Sequence, residues 1–163
     1  MTLSAKIMLL GDIGVGKSSL ARRLVFDRFE SDYKTTIGVD ILTHNVACDG
    51  QMLRMILWDT DGDFGQHIFE SAYARGASGA IIVSDASRPS TILKMANLAR
   101  GFEQRFPGRP LRGVVNKIDL RPGHRAAAAG AGSDPTLYSS ALTGEGMADL
   151  FVAIASAIFR RGL

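Results

Sequence analysis

Gly11-Asp12-Ile13-Gly14-Val15-Gly16-Lys17-Ser18 is the stretch that decides how this chain of 163 residues is read. Its spacing is G-x-x-x-x-G-K-[ST]. Glycines at those positions let the backbone curl around an anion with its N–H groups turned inward. Ile7 to Leu10 just ahead form an apolar run that reads as a strand, and Leu20, Leu24 and Val25 behind fall at helical spacing. A helix starting here adds the positive end of its dipole. In such a loop Lys17 reaches the β- and γ-phosphates of a nucleotide, and the Ser18 hydroxyl sits on Mg2+. The plain alternative is a glycine-rich turn with an incidental lysine, and the strand and helix on either side argue against it.

Outward from the loop, strands alternate with helices. The segment from Phe26 to Val39 is polar and reads as an exposed loop. Ile41 to Ala47 and Met52 to Trp58 are strand-like and flank Asp49-Gly50, a hairpin signal that makes this pair antiparallel. Asp59 to Gln66 is a loop, followed by a helical stretch around Ile68 to Tyr73. Gly79 to Ser84 reads as a buried strand, Ser90 to Phe106 as a helix ended by Pro107-Gly108, and Leu111 to Val115 as a strand. Between Pro122 and Pro135 at most a short alanine helix fits. Thr136 to Ser139 is the last strand and Met147 to Phe159 the last helix. The pattern predicts one α/β domain over residues 1–163: a mostly parallel sheet with one antiparallel edge strand and helices on both faces. Ligands of such sheets bind at the carboxyl ends of the strands, where the polar motifs fall.

Composition narrows the classes. A hydrophobic content of 46% supports a full core, and a net charge of +3 is modest. The arginines are scattered and not interleaved with aromatics, so they read as solvated faces and no nucleic-acid surface is expected. Cys48 is the single cysteine and cannot form an intrachain disulfide, which fits a reducing compartment and a cytoplasmic location. Its place beside the hairpin turn marks it as a strand-end residue rather than a reactive thiol. No run reaches the length of a membrane span. With no signal peptide, no glycine at position 2 and no cysteine near Leu163, no lipid anchor is expected.

Two further motifs carry chemistry. Asp59 ends an apolar strand, where a carboxylate can hold Mg2+ through water beside Ser18; a turn aspartate is the ordinary alternative. Thr36 can offer a hydroxyl to Mg2+ and an N–H to a terminal phosphate. In Asn116-Lys117-Ile118-Asp119 a carboxylate at the sheet end can accept from N1–H and the 2-amino group of guanine, a donor pair adenine lacks. A site built for those donors discriminates strongly, because the wrong base leaves a buried carboxylate unpaired.

Taken together, the chain resembles a Ras-superfamily small GTPase of the Rab type. The resemblance rests on Gly11 to Ser18, Thr35-Thr36-Ile37-Gly38-Val39-Asp40, Trp58-Asp59-Thr60 with Gly62, Tyr73-Ala74-Arg75-Gly76-Ala77, Asn116 to Asp119, and Ser139-Ser140-Ala141-Leu142. It implies a P-loop NTPase fold with a six-stranded sheet, and a switch that binds GTP and GDP with Mg2+ and hydrolyses GTP. The loop residues Gly14, Val15, Gly16, Lys17, Ser18 and Ser19, with Gly11 at its start, would cradle the phosphates. Phe29 would pack edge-on against the base and Tyr33 close over the phosphates. Thr36 and Gly62 would sense the γ-phosphate. Asn116 and Lys117 would brace the loop and base while Asp119 reads guanine. Ser140, Ala141 and Leu142 would supply the last base contacts. Metal would rest on Ser18, Thr36 and Asp59, and catalysis on Lys17, Thr36, Gly62 and Asp63. Two switch loops around Thr36 and Gly62 would meet effector and regulator proteins.

The departures from the family pattern are specific. Where it has Asp-Thr-Ala-Gly-Gln-Glu, this chain has Asp59-Thr60-Asp61-Gly62-Asp63-Phe64, so the glutamine that orients the attacking water is replaced by Asp63. Ile13 stands where the family has a small residue. These changes predict slow hydrolysis and leave open a rival reading, a GTP-binding interaction module that does not hydrolyse. An ATP-using P-loop enzyme is a second rival, opposed by Asn116 to Asp119. The absent tail and the Arg, Ala and Gly usage point to a prokaryotic member.

Overall fold

The computed structural model describes residues 2–26, 39–60, 62–120 and 136–161. In chain order these form β1 (Thr2–Gly11), α1 (Lys17–Phe26), β2 (Val39–Cys48), β3 (Gln51–Thr60), two 3₁₀ segments (Gly62–Glu70 and Ala72–Ala74), β4 (Gly79–Asp85), α2 (Pro89–Arg105), β5 (Leu111–Asn116), a 3₁₀ turn (Ile118–Leu120), β6 (Leu137–Tyr138) and α3 (Met147–Arg161). The six strands form one sheet in the order β2-β3-β1-β4-β5-β6. Only β2 runs antiparallel, pairing with β3 from Val39↔Thr60 to Cys48↔Gln51. Asp49 (φ 52) and Gly50 (φ 76) both take left-handed angles, as the tight two-residue hairpin requires.

Side-chain alternation along the strands divides the core into two layers. Ile7 and Leu9 of β1 point to the face covered by α1 and α3, with Leu20, Leu150, Phe151 and Ile154. Met8 and Leu10 point to the face covered by α2 and the Gly62–Glu70 segment, with Ile68, Phe69, Leu98 and Phe102. A strand covered on both faces reads as a continuous apolar run, and all seven residues of β4 are buried. The register brings Gly11 beside Val83, Leu9 beside Asp59 and Asp85 beside Asn116. The carboxyl ends of β1, β3, β4 and β5 thus share one edge of the sheet.

Local outcomes differ from the sequence reading at two places. The expected helix over Ile68 to Tyr73 is two 3₁₀ pieces, and the first begins earlier, at Gly62. Gly65 (φ 50, ψ -136) breaks its regular winding. The last strand is two residues long; beyond it the Ser139 N–H still donates to the Val115 carbonyl at 2.9 Å, and the Ser139 and Ser140 hydroxyls donate to Asn116 and Asp119. Arg112 lies within β5, as the strand reading of Leu111 to Val115 has it, and is buried. The alanine-rich segment from Pro122 to Pro135 lies outside the described residues. Cys48 is buried, and its thiol donates to the Asp49 carboxylate. Burial, reinforced by the Asp49 charge, pushes its pKa up and suppresses the reactive thiolate.

Candidate functional site

The glycine loop leaves the end of β1 and feeds α1, whose first turn closes with Leu20 N–H on the Gly16 carbonyl at 2.9 Å. Two of its glycines are demanded by close approach. A Cβ on Gly16 (φ +97) would sit 2.4 Å from Asn116 Nδ2, and one on Gly11 (φ +150) would sit 2.4 Å from the Val83 carbonyl oxygen. Lys17 is buried, and its Nζ donates across the loop to the Asp12 carbonyl at 3.3 Å. The loop is therefore already bent back on itself around the lysine.

Ser18 and Asp59 come together. The Ser18 hydroxyl donates to Asp59 Oδ2, joining the first turn of α1 to the end of β3, and Asp59 is 1% exposed. A hydroxyl and a carboxylate oxygen side by side are the hard donors Mg2+ takes when its other positions go to water and phosphate, so the pair fits that ion. Gly62 is buried against the loop: a Cβ there would fall 2.6 Å from the Ile13 backbone nitrogen and 2.9 Å from its Cγ1. The bulky Ile13 side chain thus packs on the start of the second polar loop.

Asn116 joins the third motif to the first. Its Nδ2 donates to the Val15 carbonyl at 3.1 Å, while its Oδ1 accepts from the Ser139 hydroxyl at 3.1 Å and the Ala141 N–H at 3.2 Å. Lys117, held at φ 63, donates from Nζ to the Gly14 carbonyl at 2.7 Å and to Asp85 Oδ2 at 3.0 Å. The Ser140 hydroxyl donates to Asp119 Oδ1 at 2.6 Å, fixing that carboxylate, and Leu142 is exposed beside it. Phe29, Tyr33, Thr36 and Asp61 lie outside the described residues, as does the side chain of Asp63.

The sequence reading passed over a second shell of charges. Asp85 is 1% exposed and accepts from the Ser87 N–H and hydroxyl as well as from Lys117. Burial alone would raise its pKa, but Ser87 and Lys117 together outweigh that and hold it below the usual carboxylate value. Asp12 accepts from the Ile13 N–H at 2.8 Å and from Lys94 Nζ at 3.1 Å. Burial is opposed there too, by that N–H, Lys94 and Arg88, and the pKa is lowered. Arg88 donates to the Ile13 carbonyl at 2.8 Å. The position of Asp85 at a strand's carboxyl end was the available signal; no spacing rule points to Arg88 or Lys94. Gln66 turns away from the loop and donates to the Asn97 carbonyl of α2 at 2.8 Å.

Beside the site, Tyr73 meets Trp58 and Phe64 at ring centroid distances of 6.4 and 5.8 Å, and the Lys6 ammonium lies 3.7 Å above the Trp58 ring. Tyr73 and neighbouring Ile41 are exposed, whereas Ile68 and Phe69 belong to the core. The four outer residues leave apolar surface next to the second polar loop.

Comparison with known proteins agrees with this geometry. The family model described as the Ras family matches residues 6–160. The Ras-related protein RABE1e of Arabidopsis thaliana is 32% identical over 96% of this chain and 75% of its own length. The GTP-binding protein yptV2 of Volvox carteri is 37% identical over 78% of this chain and 59% of its own. The Ras-related protein Rab-31 of Homo sapiens is 33% identical over 71% of this chain and 60% of its own. The chain thus spans between about half and three quarters of the curated relatives it matches.

Proposed function

The chain belongs to the Ras family, and from that premise we propose that it is a Rab-like guanine-nucleotide switch of one domain that binds GTP and GDP with Mg2+ and hydrolyses GTP slowly. The observation that carries the reading is Asn116, whose amide ties the phosphate loop at Val15 to the Ser139–Ala141 segment beside Asp119. Phosphate cradle and base reader are thereby held as one rigid seat. Gly11, Gly14, Val15, Gly16, Lys17, Ser18 and Ser19 hold the phosphates. Asp119 accepts from guanine, with Ser140, Ala141 and Leu142 around it, and Phe29 and Tyr33 complete the enclosure.

Ser18, Asp59 and Thr36 hold Mg2+. The ion, when bound, neutralises charge on the β- and γ-phosphate oxygens. Lys17 adds a fixed positive charge at the same oxygens, and Thr36 and Gly62 place backbone N–H groups where the γ-phosphate ends. Asp63 puts a carboxylate at the sequence position of the water-orienting amide, and an ionised carboxylate accepts a hydrogen bond but cannot donate one to the phosphate as an amide would. Repulsion from the phosphate disfavours an ionised carboxylate at position 63 unless it is protonated or paired with an arginine, and Ile13 against Gly62 leaves little room for a partner's arginine. Effectors and regulators meet the switch loops beside Ile41, Trp58, Phe64 and Tyr73. A cytoplasmic setting rests on the lone cysteine; among the described residues no helix is long and apolar enough to cross a membrane. Composition is the support for a prokaryotic source, and the named relatives lend it none.

Two measurements test this. Titration with fluorescent GDP and ADP analogues should show binding of the guanine form alone. Single-turnover hydrolysis should run at about 10⁻⁴ per second or below, and Asp63→Gln should raise it several-fold. No measurable turnover in either protein would favour the non-hydrolysing module. Fast turnover that Asp63→Gln slows would make Asp63 a working catalytic residue and overturn the proposed rate.

A further inference from the structure

The ends of α2 and α3 and the start of β5 border an open cleft of about 630 Å3. It begins at Leu111 and Arg112, whereas Asn116 at the other end of β5 belongs to the nucleotide seat, roughly 15 Å further along the strand at the usual rise. Arg109, Arg112, Arg160 and Arg161 line it with a single acid, Glu103. That ratio is far from the 19 cations to 16 anions of the whole chain. Helix dipoles explain only half of the cluster. Arg160 and Arg161 sit in the last turn of α3, where cations suit the carbonyl ends, but Arg109 and Arg112 belong to no helix.

Two of the four guanidinium groups, those of Arg112 and Arg109, are fixed by the protein. Arg112 is 8% exposed and donates to the Leu111 carbonyl at 2.8 Å. Arg109 donates to the Ala77 carbonyl and lies 5.4 Å from the Phe106 ring centroid. Arg161 packs over Gly108, its nitrogens 4.0 Å from where a Cβ would stand. Groups held as those of Arg109 and Arg112 are lose little further entropy on capturing a ligand, while the exposed Arg161 is free to turn toward it. Four guanidinium groups against one carboxylate leave the cleft net positive, which favours an anion there. Guanidinium forks match phosphate oxygens pairwise, and the short apolar walls, Pro107, Pro110 and Ala157, leave space for an organic moiety of ordinary ligand size.

We propose that this cleft binds the phosphate groups of a small organic phosphate, independently of the nucleotide seat. A soluble metabolite and a phosphoinositide headgroup offer the same chemistry, and the test separates them. Inositol trisphosphate is titrated calorimetrically into the full chain, once saturated with GDP and once without nucleotide, so that the outcome does not depend on the nucleotide reading. A one-to-one isotherm in the micromolar range is expected in both. It should weaken roughly tenfold, the scale of one charge-assisted hydrogen bond, in Arg109→Ala and in Arg161→Ala. The second variant is needed because Arg109 also holds Ala77. Affinity for the fluorescent GDP analogue should not change. Sedimentation with phosphatidylcholine vesicles carrying a phosphoinositide then assigns the source: arginine-dependent co-sedimentation marks a lipid headgroup, and its absence beside a positive titration marks a soluble ligand. No saturable heat, an affinity in both variants equal to that of the parent chain, or displacement of the GDP analogue by the probe would overturn the proposal. So would binding to phosphatidylserine vesicles alone.

Discussion

Replacing Asn116 by alanine is the sharpest test of how the site is held together. The side chain is 1% exposed and makes three hydrogen bonds, to Val15, Ser139 and Ala141. All three partners are buried. A buried polar group left unpaired costs about 1–3 kcal/mol. The low end applies, because the space vacated by the amide can admit a water that pairs part of the set. Three partners at the low end give about 3 kcal/mol, a large share of the 5–15 kcal/mol of an ordinary domain. Urea unfolding without nucleotide keeps lost ligand affinity out of the measurement. With a slope of about 2 kcal/mol/M the midpoint should fall by about 1.5 M. Ser139→Ala removes one of the three bonds and should cost about 1 kcal/mol. If Asn116→Ala costs no more than Ser139→Ala, the amide is not a three-way brace and the account of the seat fails.

Other outcomes follow from the same geometry. Asp119→Asn should exchange guanine for xanthine preference by at least about 2 kcal/mol, measured by competition against a fluorescent nucleotide, since an amide donor then faces the base. Ser18→Asn should weaken GTP more than GDP in Mg2+, and Lys17→Ala should weaken both; unchanged affinities would remove the loop from phosphate binding. Asp85 has its pKa lowered on folding, so its contribution is present above the unfolded value of about 3.9 and is lost as pH falls through the folded value. Stability should therefore drop on acidification below about pH 4, and Asp85→Asn should flatten that limb in urea midpoints taken across the acid range.

Much of this protein was legible along the chain because its decisive signals are local. The loop from Gly11 to Ser18 depends on glycine torsions and a following helix, and Asp49-Gly50 depends on left-handed angles, both properties of neighbouring residues. The continuous apolar run of β4 announced a strand buried on both faces, and the mostly parallel sense of the sheet followed from the alternation of strands and helices. The motifs already set Asp59 beside Ser18 and named Asn116 as a brace of the loop, but which atoms meet is decided by pairings between residues distant in sequence. Asp59 meets Ser18 across 41 residues and Asn116 meets Val15 across 101, and only the sheet register makes those distances small. The 3₁₀ winding of Gly62–Glu70 shows the same limit: its apolar spacing allows a regular helix, but Gly65 and the packing of Ile68 and Phe69 under α2 decide otherwise. Likewise Asp85, Arg88 and Arg112 look like any strand-end acid or surface cation in sequence. Their roles were decided by what tertiary packing sets against them, because burial and opposing charge are properties of the folded surroundings and not of the residue itself.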